Sequence, residues 1–168
     1  MNAWHGIFLG LEATNYSSTF GSDNDYIKAS IDYRYYYSFA KGKVVALYNK
    51  LQWSQGDVPY YDLPTLGGQD SMRGIYQGRY RDSVAVENTL EYRWTIRSAQ
   101  GELTKHGLTF WAGLGSVDSS LDEVYSNLLY SYGIGYRYEL QPRMNVRVDF
   151  GIGSNDDKGF YLTFTEAF

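Results

Sequence analysis

The side chains able to do chemistry in this sequence are few. Its imidazoles are His5 and His106, and it has no cysteine. Paired with a serine at a membrane rim, a histidine would suit acyl transfer on a lipid. The plainer reading of both is a residue near a strand end. No Gly-x-Ser-x-Gly elbow and no His-Glu-x-x-His pair is present. Two histidines without a thiolate make a poor transition-metal set. Asp118, Asp122 and Glu123 read as a solvated acidic loop before they read as a divalent-cation site. The expectation is therefore no covalent chemistry, no metal and no cofactor. With 15 Lys and Arg against 19 Asp and Glu, net charge −4, no cationic surplus is left to hold a phosphate backbone, which argues against nucleic acid as a partner.

What remains is a set of charges that keep to one alternate parity within each segment: Lys28, Asp32 and Arg34; Glu87, Glu91 and Arg93; Arg137; Arg147 and Asp149. Period-two spacing belongs to strands. The residues between these charges are apolar and often aromatic: Ile31, Tyr33 and Tyr35; Leu90, Tyr92 and Trp94; Val146, Val148 and Phe150. Eighteen Tyr, eight Phe, four Trp and 18 Gly against three Pro suit strands and their crowding. The same alternation runs through about eight segments, beginning near Trp4, Ile27, Val45, Val84, Leu108, Leu128, Val146 and Gly159. Asn49 and Asn88 interrupt the apolar parity on consecutive strands and read as a cross-strand amide pair.

A soluble sandwich turns its apolar side inward and its charges to water. Here the apolar side gathers Tyr and Trp towards strand ends, as a membrane girdle does, and the other side mixes both charge signs with glycine. That side suits a packed lumen. No window of about 20 apolar residues could form a membrane helix. The reading is an all-β fold: an antiparallel transmembrane β-barrel unit of about eight strands, one domain over residues 1–168. Short turns at Ala40-Lys41-Gly42 and Gln141-Pro142-Arg143 contrast with one long loop, residues 54–82, between the third and fourth strands. The chain opens almost directly on its first strand, as expected of the mature part of an exported protein with Met1 added.

The long loop carries Leu66-Gly67-Gly68, then Met72-Arg73-Gly74-Ile75 and GRYRD, with Glu91-Tyr92-Arg93 on the next strand. The sequence ends RMNVRVDFGIGSNDDKGFYLTFTEAF. Together these resemble the C-terminal barrel region of the outer membrane protein 85 (bacterial surface antigen) superfamily, in a short form without periplasmic domains. Met72, Arg73, Gly74 and Ile75 stand at the family's hydrophobic-Arg-Gly-aromatic loop motif. The resemblance implies that Arg73 folds into the lumen and bonds acids on the inner wall. Glu91 is then the first partner, with Glu87 on the same face. An inward Asp common in the family is replaced by Trp111, against which Arg73 would stack. The last strand resembles the family's assembly signal: Gly159, Phe160, Tyr161, Phe164 and the final Phe168, all on a strand that keeps Phe160, Phe164 and Phe168 on the oily side.

The resemblance implies an integral bacterial outer-membrane barrel that helps protein or lipid pass or insert, with lipids and the barrel-assembly machinery as partners. The alternatives are a structural or lipid-binding barrel and a rim-active lipid enzyme. Family barrels are larger, and a small closed barrel is filled by its own side chains. The loop therefore stays outside a small barrel, or two chains associate as a homodimer, or the chain is half of a longer protein. Self-association is the expectation.

Overall fold

A computed structural model describes residues 4–141, 144–164 and 166–168. Met1, the Pro142-Arg143 part of one expected turn and Thr165 lie outside the described residues. The strands are β1 (Gly6–Tyr16), β2 (Tyr26–Ala40), β3 (Lys43–Gly56), β4 (Thr65–Leu66), β5 (Tyr80–Arg81), β6 (Val84–Arg97), β7 (Leu103–Asp118), β8 (Leu129–Gln141), β9 (Met144–Gly153) and β10 (Lys158–Thr163). β4 and β5 pair with each other inside the long loop. The other eight form one antiparallel sheet in the order β1-β2-β3-β6-β7-β8-β9-β10. Each strand lies beside its predecessor, so the unit is an up-and-down meander of the kind that builds membrane barrels. Among the described residues no strand register joins β1 to β10.

The side-chain parities sort as the alternation requires. Ile7, Leu9, Leu11, Leu90, Phe110, Leu114, Ile134, Phe150, Phe160 and Leu162 are all exposed on the convex face. On a protein in water this would be an unusual apolar surface; in hydrocarbon it is the favourable one. The concave face buries Glu91, Arg93, Arg137, Arg147 and Asp149 at no more than 7% exposure each, which is tolerable because they pair, and Glu87 as well, beside Ser71 and the Gly67 amide. Asn49 and Asn88 stand directly opposite each other in the β3–β6 register.

Two readings are corrected. Of the three open outcomes for the loop, the one that keeps it outside does not hold: it lies inside, against the concave face, with Leu66, Met72, Arg73 and Ile75 fully buried. Glycines 113, 115, 151 and 153 of the wall give it room. The second change is at the last strand. β10 ends at Thr163, and Phe164 is still exposed, but Glu166, Ala167 and Phe168 are buried. Phe168 stacks on Tyr48 of the inner wall at 5.0 Å between ring centroids. The period-two extrapolation to the oily side fails there because Glu166 finds Arg137 and Asn145 inside, a better environment for a carboxylate than lipid.

Candidate functional site

The site is built on rows of residues running across the strands. Glu91 of β6 stands opposite Trp111 of β7, which stands opposite Gly133 of β8, then Gly151 of β9 and Gly159 of β10. All share the concave face. The glycines turn the β8–β10 side of the row into a trough. The Trp111 ring lies over Gly133, the Tyr161 ring over Gly159, and the backbone of Arg73 over Gly151; a Cβ at any of the three would collide with its occupant. One row along, Thr89, Gly113, Ser131 and Gly153 stand opposite one another in turn.

The loop motif is seated in these rows residue by residue. Leu66 rests on Gly115, where a Cβ would sit 2.5 Å from its Cδ1. Met72 rests on Gly113 with its Sδ at 2.8 Å, and Ile75 on Gly153 with its Cγ1 at 2.6 Å. Met72 adopts φ +46°, and the Ile75 amide closes the turn onto the Met72 carbonyl at 3.1 Å. Gly74, at φ +111°, approaches so near to β9 that a Cβ would lie 2.7 Å from the Ile152 nitrogen. A side chain there is excluded twice, by conformation and by space.

The turn aims Arg73 along the wall. Its Nη2 donates to Glu91, its Nη1 donates to Asp149 Oδ2 at 2.8 Å, and its Cζ lies 3.8 Å from the Trp111 ring centroid. Both carboxylates are fully buried. Glu91 also accepts from Arg93 Nε at 2.6 Å and Arg137 Nη2 at 2.7 Å. Arg147 Nε lies 2.7 Å from Asp149, and its Nη2 donates to the Gln69 carbonyl of the loop at 2.7 Å. Ser131 donates to the Arg73 carbonyl, and the Gly74 amide donates to the Tyr161 hydroxyl at 3.0 Å. The stretch from Gln69 to Gly74 thus touches four wall strands, β6, β8, β9 and β10, through polar bonds. Such a network of charge-assisted bonds is geometrically demanding and fixes one position of the loop.

The sequence reading picks out Arg73, Glu91 and Trp111, and the structure brings them together. Glu87 is elsewhere: it lies beside Ser71 and the Gly67 amide of the same loop, opposite Lys50. The second acid on Arg73 is Asp149, which the sequence marks only as one of many inward charges. The signal was its place two residues from Arg147 on the inward parity of the penultimate strand. Of the proposed terminal signal, Phe160 and Phe164 point outward, Gly159 and Tyr161 serve the loop, and Phe168 is inside. The histidines sit apart. His5 meets Tyr37 edge-on at 5.5 Å, and His106 Nδ1 lies 2.5 Å from the Tyr136 hydroxyl. No cluster of metal-binding side chains occurs among the described residues.

Compared with known proteins, residues 1–168 match the Omp85 superfamily domain. Among curated proteins none matches the sequence. Among solved structures, the chain is similar to BamA from Haemophilus ducreyi lacking POTRA domains 1–3, with a TM-score of 0.72 at 16% identity. The likeness covers 95% of this chain and 37% of that one, so the chain spans little more than a third of this neighbour's length.

Proposed function

Because this chain belongs to the Omp85 superfamily, as an outer-membrane β-barrel unit, we propose that it assists the passage or insertion of protein or lipid across the outer membrane without covalent chemistry. The observation that carries the reading is the buried Arg73, bonded to Glu91 and Asp149 and stacked on Trp111. In this reading Arg73 is the anchor that holds the long loop against the inner wall, and the loop governs what enters the lumen. A cavity of about 730 Å³ lies beside the loop, lined in part by Asp32, Arg34, Lys50, Gln69, Asp70 and Glu87. Its mixed charges suit transient contact with a polar chain better than tight capture of one ligand. Lipids meet the convex face, and the assembly machinery meets the last strand.

The experiment is reconstitution in liposomes with a second, unfolded barrel protein added outside. The wild type should speed that protein's insertion over empty liposomes, and Arg73→Ala should lose the effect while remaining folded by circular dichroism. Equal insertion with and without the wild type would leave a structural or lipid-binding barrel.

A further inference from the structure

The connection between β7 and β8, residues 119–128, also folds onto the wall, and it does so on the lipid side. Val84 and Val86 of β6 share the outward parity of Leu90, yet they are 1% and 7% exposed where Leu90 is 53% exposed. Val124 of the connection covers them: the three form one buried cluster, with Leu51 and Trp53, their outward partners on β3, packed against it. A polar bond ties the connection down as well. Ser116 of β7 stands opposite Val86 and also points outward, and its hydroxyl donates to the Asn127 carbonyl at 2.9 Å. On that face the hydroxyl would otherwise meet hydrocarbon unpaired. β6 and β7 are the two central strands of the sheet, so the covered patch is independent of what lies beside β1 or β10.

While Val124 is buried on the wall, Leu121, Tyr125 and Leu128 of the same segment are 52%, 63% and 51% exposed. A turn closed by the Ser126 amide on the Glu123 carbonyl, at 2.9 Å, holds this arrangement. The three side chains continue the apolar convex surface: Leu128 is two residues ahead of Tyr130, which stands opposite Leu114 on that face, and both of these are half exposed. A connection standing clear in water would gain nothing from three such side chains. Laid on the lipid-facing wall, they reach the depth at which Tyr and Leu are favourable. We propose that residues 119–128 are an interfacial membrane anchor. Leu121, Tyr125 and Leu128 enter the boundary between acyl chains and head groups of the bilayer, and the exposed Asp122 and Glu123 stay among the hydrated head groups. The segment contains no Lys, Arg or His, so its attachment rests on apolar contact and does not call for anionic lipid. The anchor holds the β6–β7 pair, whose concave face carries Glu91 and Trp111, at a fixed depth. This inference rests on the lipid-facing convex wall, not on the transport reading or on Arg73.

The sequence has no cysteine, so single thiols can be introduced and labelled with an environment-sensitive fluorophore. Leu121→Cys and Tyr125→Cys are compared in phosphatidylcholine vesicles with two references. Leu114→Cys lies on the lipid-facing wall, and Asp23→Cys lies on an exposed turn beside Asn24, which bonds Asp57 at the start of the long loop on the same membrane side. Lipid brominated near the top of its acyl chains should quench the labels at 121 and 125 about as strongly as the label at 114, and several times more than the label at 23. Aqueous iodide should give the opposite order. Labels at 121 and 125 that iodide reaches as readily as position 23, with no quenching by the brominated lipid, would overturn the proposal, since the connection would then stand in water. No quenching by either agent would overturn it equally, because protein and not lipid would then cover the segment. All four positions are exposed, and the heat-dependent gel shift of a folded barrel verifies each variant.

Discussion

The guanidinium of Arg73 lies over the indole of Trp111, 3.8 Å from the ring centroid, in a part of the molecule where both side chains are nearly or wholly out of contact with solvent. The pairing is cross-strand in origin. Trp111 stands opposite Glu91, so the ring that supports the cation and the carboxylate that neutralises it are neighbours on one row. A cation–π contact desolvated in this way is worth about 2 kcal/mol. Trp111→Phe, which keeps a ring, should retain most of the loop's order. Trp111→Ala should lose the contact and leave a void, costing about 3–5 kcal/mol. Chemical denaturation in detergent, followed by loop proteolysis, separates the two. Equal stability of the Phe and Ala variants would contradict the assignment.

Removing the cation itself is more severe. Arg73→Ala leaves Glu91 still facing Arg93 and Arg137 and Asp149 still facing Arg147, so the carboxylates keep partners, but the loop loses its link to both. Breaking such a buried ion pair from one side costs about 3–5 kcal/mol. Trypsin should then cut at Arg79 and Arg81 of the released loop at least several times faster than in the wild type. Arg73→Lys should be intermediate, since one ammonium cannot serve two acids in a fork. Undiminished protection in Arg73→Ala would mean that the apolar seats alone hold the loop.

Those seats make a prediction of their own. A Cβ at Gly115 would lie 2.5 Å from Leu66, and at Gly151 it would run into the backbone of Arg73. Gly151→Ala should displace the motif as a whole, because backbone cannot step aside. Gly10→Ala meets the flexible Phe8 ring at 3.1 Å and the Asp32 Cβ at an ordinary 3.6 Å, and should be tolerated. The loop's protease sensitivity in the two alanine variants checks this directly. Similar behaviour of the two would show that the glycine trough does not position the loop.

The same trough explains what was legible in the sequence and what was not. Period-two alternation is a local property, so the eight strands, the outward aromatics and the inward charges could be read from residue order alone. Arg73, Glu91 and Trp111 stood out through the resemblance to the family's loop motif, with strand parity adding only that Glu91 and Trp111 face inward. The loop's position did not, because it depends on glycines 113, 115, 133, 151 and 153 lining up across three strands, a matter of register. Asp149 was hidden for the same reason: it reaches Arg73 only because Gly135, directly opposite, lets its carboxylate lean across. The inward turn of Glu166 and Phe168 is likewise a response to Arg137, Asn145 and Tyr48, none of which is near in sequence.

Tyr161 ties the loop to the last strand through the Gly74 amide, at 3.0 Å. Tyr161→Phe keeps the ring over Gly159 and removes only the acceptor. The expected cost is about 1 kcal/mol, the net value of one neutral hydrogen bond. Hydrogen exchange at the Gly74 amide should accelerate, while amides of the β6–β7 ladder keep their protection. Unchanged exchange at Gly74 would mean that the hydroxyl is not its partner in solution.

At the loop's outer part, Asp62 accepts from Lys28 Nζ at 2.6 Å and from the Tyr26 hydroxyl at 2.7 Å. Partial burial pushes its carboxyl up, but the bonds from Lys28 and Tyr26 outweigh this and hold it below the usual carboxylate value. A carboxyl depressed by folding stabilises the ordered state fully above its ordinary value, and that contribution disappears as pH falls through the lowered one. Protection of the segment around Tyr60 and Tyr61 should therefore be level at neutral pH and fall only below about pH 4, where a free aspartate titrates. Asp62→Asn should show the weaker protection at every pH and no such step. Lys28 and Asp62 are each about a quarter to a third exposed, so the effect is small and local, and global stability should hardly move. Hydrogen exchange across pH 3–7, corrected for the intrinsic rate, measures it; a step of the same size in Asp62→Asn would assign the titration to another group.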